Sequence, residues 1–278
     1  MAYHGGGSNR NRWISQYKNE PDKALSLEQK TFPQFFITSE GPCPYLPGRV
    51  ERKVFTHLVS FDAGDLHDLL TRTGFRRSQN IAYRPACENC SLCIPVRIPV
   101  DDFRPGRTMR RIWRRNRDLH GAFMPPRVTS EYFSLFSDYI NSRHADGSMA
   151  GMTALDFAAM VEESFVDTRL VTYRTAGRLL DGSDAGELVA CALTDVHDDG
   201  LSMIYSFYDP ARTSRSLGTY MILEHVERAR TMGLPYVYLG YWVPGSRKMS
   251  YKERFMPQER LIDEQWLRVE SRNLTISR

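Results

Sequence analysis

The sequence predicts an α/β (α+β) fold, a mixed antiparallel and parallel sheet flanked by helices. Three observations carry this. Residues 187–208 alternate apolar and polar side chains about an Asp199-Gly200 pair, residues 217–229 repeat apolar side chains at three- and four-residue steps, and Tyr236–Trp242 is a short aromatic run between prolines. The first is two strands joined by a tight turn, because Asp-Gly supplies the positive φ that a hairpin prefers. Asp209-Pro210 ends the second strand, since proline cannot donate to a ladder. Leu217, Tyr220, Leu223, Val226 and Ala229 share one helix face, with Ser216 placed to cap the start and Gly233 followed by Pro235 to stop it. Tyr236–Trp242 is the next strand.

Strand, strand, loop, helix, strand is the order in which the N-acetyltransferase-like (GNAT) fold, which this run resembles, builds its acyl-donor site. In that fold a loop of pattern R/Q-x-x-G-x-G/A opens the helix, and its N–H groups hold a pyrophosphate. The corresponding residues here are Arg215, Ser216, Leu217, Gly218, Thr219 and Tyr220. The last small residue is a tyrosine, whose ring is expected to crowd a coenzyme A pyrophosphate, so a different donor is expected. Ser216, Leu217, Gly218 and Tyr220 are the donor candidates. On local grounds a plain helix N-terminus is the alternative, and duplication of the unit is left open.

Residues 104–117 contain seven arginines and no acid. In a helix from Gly106 onward, Arg107, Arg110, Arg111, Arg114 and Arg115 fall on one face, a stripe suited to several RNA phosphates at once. With no acid in the run, local ion pairing explains the stripe less well than RNA contact does. Trp113 is expected in the core. A second basic group, Arg76, Arg77 and Arg84, is the candidate reader of an acidic side chain, because a guanidinium forks onto a carboxylate where lysine offers a point charge. Ordinary pairing with Asp65 and Asp68 is its alternative.

Cys87, Cys90 and Cys93 form C-x2-C-x2-C, with Cys43 available as a fourth ligand. Such spacing suits a Zn ion or an iron–sulfur cluster, and reduced thiols packed as small hydrophobes are the alternative. Cys191 is expected in the core. The histidines are scattered without a triad-like motif, which argues against Ser-His or Cys-His nucleophilic catalysis.

Over residues 33–261 the chain resembles the arginyl-tRNA–protein transferase superfamily, and within it the bacterial aspartate/glutamate leucyltransferases. The resemblance runs through GPCPYLPGRVERKVFTHL, LLTRTGFRRSQNIAYRPACENCSLCIPVRIPV and RRIWRRNRDL in the first half. It continues through SFYDP, SLGTYMILEHVERARTMGLPYVYLGYW and KMSYKERFMP in the second. It implies transfer of an aminoacyl group, leucyl in this branch, from charged tRNA to the α-amino group of proteins beginning with Asp or Glu. The product is then expected to pass to a protease adaptor for N-degron-type degradation. Relatives are also associated with an N-terminal cysteine cluster or regulatory site, although the spacing here departs from the eukaryotic pattern.

Direct attack of the amine on the activated ester is the expected mechanism, with no cofactor required for the chemistry. Tyr208 and Asp209 are candidates for gripping or deprotonating the amine, with packing for Tyr208 and turn capping for Asp209 as the alternatives, and Lys248, Tyr251 and Lys252 are candidates for the tRNA terminus and the oxyanion. An RNA-binding protein with a cysteine knuckle, or a coenzyme A-dependent N-acyltransferase, are the competing classes. Leucyl against arginyl transfer is not decided by residues alone.

Composition agrees without deciding. The 278 residues are 41% hydrophobic with net charge +4, enough for a sizeable core and a mild lean toward anionic partners. The absence of a long apolar run or a signal-like start points to a cytoplasmic protein without a membrane span. The expected division is a loose tail over 1–30, an N-terminal transferase domain over 31–120, a GNAT-like domain over 121–262 and an extension over 263–278.

Overall fold

The structure is a computed structural model and describes residues 32–145, 147, 149–177 and 186–271. The tail expected over 1–30 lies outside the described residues, as do residues 272–278 of the C-terminal extension.

From Gln34 onward the chain is one compact unit. It opens with β1 (Phe36–Ile37), β2 (Gly41–Pro42), β3 (Val50–Glu51), β4 (Lys53–His57), α1 (Ala63–Arg72), β5 (Arg76–Ser78), β6 (Ile81–Pro85) and β7 (Ile94–Pro99). Then come α2 (Arg107–Arg115), β8 (Leu119–Met124), α3 (Ser130–Arg143), α4 (Ala154–Glu162), β9 (Thr168–Thr175), β10 (Leu188–His197) and β11 (Gly200–Tyr208). A 3-10 turn (Thr213–Arg215), α5 (Leu217–Thr231), β12 (Tyr236–Trp242), a second 3-10 turn (Ser250–Arg254), β13 (Gln258–Ile262) and β14 (Gln265–Val269) complete it.

Eight strands form the main sheet in the order β14-β13-β7-β12-β11-β10-β9-β8, and a four-stranded sheet, β1-β4-β6-β5, stands beside it. The mixed sheet predicted from sequence is therefore present, with β11 and β12 parallel and their other partners antiparallel. β7 lies in the main sheet between β12 and β13, so the segments assigned to 31–120 and 121–262 share one sheet. β14, within the expected extension, is its edge strand.

Alternation along the strands divides the core between two faces. Leu170, Cys191, Leu193 and Phe207 meet Phe136 and Ile140 of α3 and Phe157 and Val161 of α4 on one face. On the other, Val171, Tyr173, Ala190 and Ala192 meet Leu217 and Met221 of α5 and Ile112 of α2. Cys191 is buried on the α3 and α4 side, as expected.

One local irregularity positions the functional site. β11 and β12 pair only through residues 200–202 and 236–238, and beyond that point they part. Each strand carries an irregularity where they separate: the β10–β11 register slips across Ile204, and the β12–β7 register slips across Leu239, beside Gly240 at φ 76°. A bulge adds twist and exchanges the faces of the residues after it. Leu201 accordingly joins the α5 side of the core, while Phe207 joins the α3 side.

The small sheet and α1 dock onto β10 through buried charge. Arg77, Asp195 and His67 are 3%, 0% and 2% exposed. Arg77 donates to both Asp195 oxygens at 2.6 and 2.7 Å, and His67 Nε2 lies 2.9 Å from Oδ2.

Candidate functional site

The gap between the parted strands is a cleft of ≈ 680 Å³. Met203, Ile204, Tyr205, Ser206 and Tyr208 of β11 form one wall, and Leu239, Gly240 and Tyr241 of β12 form the other. Arg76 fills its apex: Nη1 donates to Ser202 Oγ at 3.0 Å and Nη2 to the Met203 carbonyl at 2.6 Å. Gly240 is what leaves room for it, since a Cβ there would stand 2.9 Å from Arg76 Nε. Glycine also accommodates the positive φ at that position.

Of the donor candidates, Ser216, Leu217 and Gly218 line the cleft beside Thr213 and Thr219. Ser216 occupies the cap position of α5, but with φ 54° and ψ 47°, and its side chain does not cap the helix. Its carbonyl instead accepts from Thr219 N and Tyr220 N. Tyr220 is corrected: it turns away from the cleft into the core, 4% exposed, against Tyr173 and Trp113. Its ring cannot crowd a donor and so does not exclude coenzyme A. Trp113 is also corrected, being 37% exposed with one face on Tyr220.

The arginine stripe is helical as predicted, and Arg107, Arg110, Arg111, Arg114 and Arg115 are all exposed. Among the described residues no acid pairs with any of them. The end of α2 is riveted to the donor loop. Arg115 donates to the Ser214 carbonyl, and buried Asn116 donates to the Arg215 carbonyl at 2.9 Å while accepting from Arg215 Nε at 3.0 Å.

Of the candidates for chemistry, Tyr208, Lys248, Tyr251 and Lys252 line the cleft and Asp209 does not. Asp209 is corrected from the chemistry to its alternative, turn capping: it accepts from Ala211 N at 2.9 Å and from Arg212 Nε at 2.7 Å. Lys252 is 3% exposed and donates to the Tyr241 carbonyl. Burial, helped by the charge of Arg76, lowers its amine from the usual lysine range to about 7. Lys248 stands at the exposed rim.

The arginines proposed to read an acidic side chain separate. Arg76 is in the cleft. Arg77 is corrected, because its guanidinium is spent on Asp195, the Gln79 carbonyl and Thr168. Arg84 donates to the Thr73 carbonyl at 3.2 Å and lies over the Phe75 ring, outside the cleft.

Sequence reasoning missed Arg143 and His144 at the end of α3, together with an aromatic lining of Tyr45, Tyr83, Tyr139, Tyr205 and Tyr241. Tyr139 and Arg143 are four residues apart, hence on one helix face, which was the available signal.

Cys43, Cys87, Cys90 and Cys93 line a second, small cavity next to the cleft, sharing Tyr45 with it. Burial and the three neighbouring thiols push the Cys93 thiol up to about 12. Among the described residues the group whose donor atoms all fall within 4.8 Å of one another is a different one, His67, Asp195 and His197. There Arg77 already occupies the carboxylate, so this group is an ion-pair hub joining the two sheets.

Family models for the arginine-tRNA-protein transferase match this chain, the N-terminal model over residues 41–111 and the C-terminal model over 131–262. The chain belongs to that family. Curated relatives named aspartate/glutamate leucyltransferase include one from Methylobacterium nodulans, 60% identical over 88% of this chain and 100% of its own. Another, from Nitrobacter hamburgensis, is 57% identical over 90% of this chain and 97% of its own. Among solved structures, FemX aligns with TM-score 0.44 and 10% identity over 72% of this chain and 69% of its own, a distant likeness.

Proposed function

We propose that this chain transfers leucine from leucyl-tRNA to the α-amino group of proteins that begin with Asp or Glu, the activity its curated relatives are named for. The observation that carries the reading is the charge of the cleft. Among the described residues its lining holds Arg76, Arg143, Arg212, Lys248 and Lys252 and no carboxylate. An arginyl side chain would enter such a site without a counter-ion, whereas Leu217, Ile222, Leu239 and Met249 offer apolar contact to a leucyl one. The same field favours an acidic acceptor and the phosphates of the tRNA end.

The parted parallel strands with a helix N-terminus at their mouth support a GNAT-like fold. In it, N–H groups at the start of α5 would face the tRNA terminus. The acceptor amine, poised in the cleft, attacks the ester carbonyl. It passes a proton to neutral Lys252, the C–O bond to the ribose breaks, and the ribose oxygen takes up a proton as the amide forms. Holding amine and ester together supplies on the order of 7 to 11 kcal/mol of the barrier lowering. Tyr208 and Tyr251 stand where their hydroxyls can serve the oxyanion or the leaving oxygen. An aminoacyl-tRNA donor supports a cytoplasmic reaction. No described helix is long and apolar enough to cross a membrane. Handing the product to a protease adaptor completes the proposed role.

Purified protein given separately charged leucyl- and arginyl-tRNA, with peptides beginning Asp, Glu, Asn or Ala, tests the reading. Leucylation confined to the acidic peptides is expected, and arginylation or indifference to the first residue would overturn it.

The arginine stripe and the cysteines each have their own test. Replacing Arg110, Arg111, Arg114 and Arg115 by Ala is expected to weaken tRNA binding and flatten its salt dependence, by up to about 0.9 in log–log slope for each duplex phosphate no longer neutralised. Filter binding across a salt series checks it. The C-x2-C-x2-C spacing and the shared lining of one small cavity support a bound Zn ion or iron–sulfur cluster at the four thiols, which would have to draw together to ligate it, since among the described residues they are not gathered within 4.8 Å of one another. Cys43, Cys87, Cys90 and Cys93 would hold it, fastening the Tyr45 loop behind the cleft. Metal analysis of anaerobically purified protein should find near-stoichiometric Zn or Fe, absent from Cys90→Ala; metal-free protein with an intact cleft would remove the site.

A further inference from the structure

The cleft is lined from both faces of the main sheet. On the α5 side stands the donor loop, which the end of α2 grips through Arg115 and Asn116. On the other side stand the end of α3, with Arg143 in the last turn and His144 at the C-cap, and the loop after β12 that carries Lys248. Donor features gather on the α5 side, and the α3 side is left for the other substrate.

The cations of the cleft also differ in what they already hold. Arg76 has both terminal nitrogens on Ser202 and Met203, Arg212 is paired with Asp209 and Glu187, and Lys252 is on the Tyr241 carbonyl. Arg143 and Lys248 are exposed and have no acidic partner among the described residues. Both act on His144, whose proton affinity burial lowers first and the charges of Lys248 and Arg143 lower further. Two unspent cations at one rim suit one carboxylate, and the arginine fork can grip it in two hydrogen bonds.

We propose that Arg143, assisted by Lys248, binds the side-chain carboxylate of the acceptor's first residue on the α3 side of the cleft, and so sets the preference for Asp and Glu. This rests on the transfer reading above and names its specificity residue. The acceptor's amine then points down the cleft toward Lys252, while the tRNA end arrives from the opposite face.

The experiment uses Arg143→Gln, Arg143→Lys and Lys248→Gln in the full chain, all at exposed positions. Leucyl transfer is measured at saturating leucyl-tRNA on peptides beginning Asp, Glu, Asn and Ala, and tRNA affinity by filter binding. Binding of the Asp and Asn peptides without tRNA is measured separately. Arg143→Gln is expected to raise KM for Asp and Glu peptides by about tenfold or more while leaving the Asn peptide unchanged, so the preference collapses. Arg143→Lys should recover part of it, and tRNA affinity should stay at the wild-type value. An intact Asp-over-Asn preference in Arg143→Gln overturns the proposal. Weakened tRNA binding with the preference intact also overturns it, and makes this rim a phosphate contact. If the wild-type protein transfers no leucine yet binds Asp over Asn peptide through Arg143, the transfer reading fails and the carboxylate site stands.

Discussion

Lys252→Met is expected to lower leucyl transfer by about 10²- to 10⁴-fold, the range that proton transfer by a positioned side chain supplies. Methionine keeps most of the apolar stem in its buried slot against Met249 and Tyr241, so the loss should lie in turnover while peptide KM and tRNA affinity stay near wild type. The pH dependence sharpens the test. With its amine lowered to about 7, Lys252 becomes neutral, and able to accept a proton, as pH rises through that value. The turnover number should climb across that point and level off above it. The acceptor's own amine, near ~8 in free peptides, shapes kcat/KM instead. Lys252→Arg, charged at every accessible pH, should be as slow as the methionine variant and lack the rising limb. A variant keeping more than roughly a tenth of wild-type turnover would take Lys252 out of the proton path.

The second large effect is on stability. Arg77→Met leaves the Asp195 carboxylate buried with His67 and Thr168 as its remaining partners, and removing one member of a buried pair costs about 3–5 kcal/mol. Urea unfolding should show the midpoint falling by that equivalent. Arg84→Gln, outside both the cleft and the hub, should stay within about 0.5 kcal/mol of wild type. Replacing Arg77 and Asp195 together by apolar residues should recover much of the stability, because no uncompensated charge is then left inside.

Acid acts on the same hub with a definite sign. Arg77 and His67 hold the Asp195 carboxyl well below the usual carboxylate range, so its contribution is present above the unfolded value of 3.8 and is lost as pH falls below it. Burial lowers His67 from 6.5, so the unfolded chain takes up a proton that the folded chain refuses. Stability should therefore begin to decline below about 6.5 and fall further below about 3.8. Unfolding midpoints across that range measure both, and a midpoint that rises on acidification would contradict the assignment.

The hairpin, α5 and β12 were legible because each is specified by neighbours in sequence: Asp199-Gly200 at the turn, a three-to-four apolar repeat, and prolines that end strands. Gly218 and Leu217 came out at the cleft for the same reason, being the first residues of a helix whose start is locally set. The stripe on α2 was legible too, since helical spacing alone puts five arginines on one face. Long matching motifs carried the family. Arg76 and Arg77 show where that reasoning ends. They are adjacent arginines on one strand, so their side chains leave on opposite faces; the packing of the small sheet against β10 and β11 sends one into the cleft and the other into a buried ion pair. Neither outcome is a property of the pair itself. Asp209 and Tyr220 were likewise separated from the site by the direction of a turn and of a helix face, and the single-residue bulge at Ile204 opened the cleft that Arg143, Lys248 and Lys252 come to share. Elements, family and the pool of candidate residues could be read along the chain because they are local or patterned. Which candidates meet was set by long-range packing, since burial and charge pairing depend on residues more than a hundred positions apart, such as Arg77 and Asp195.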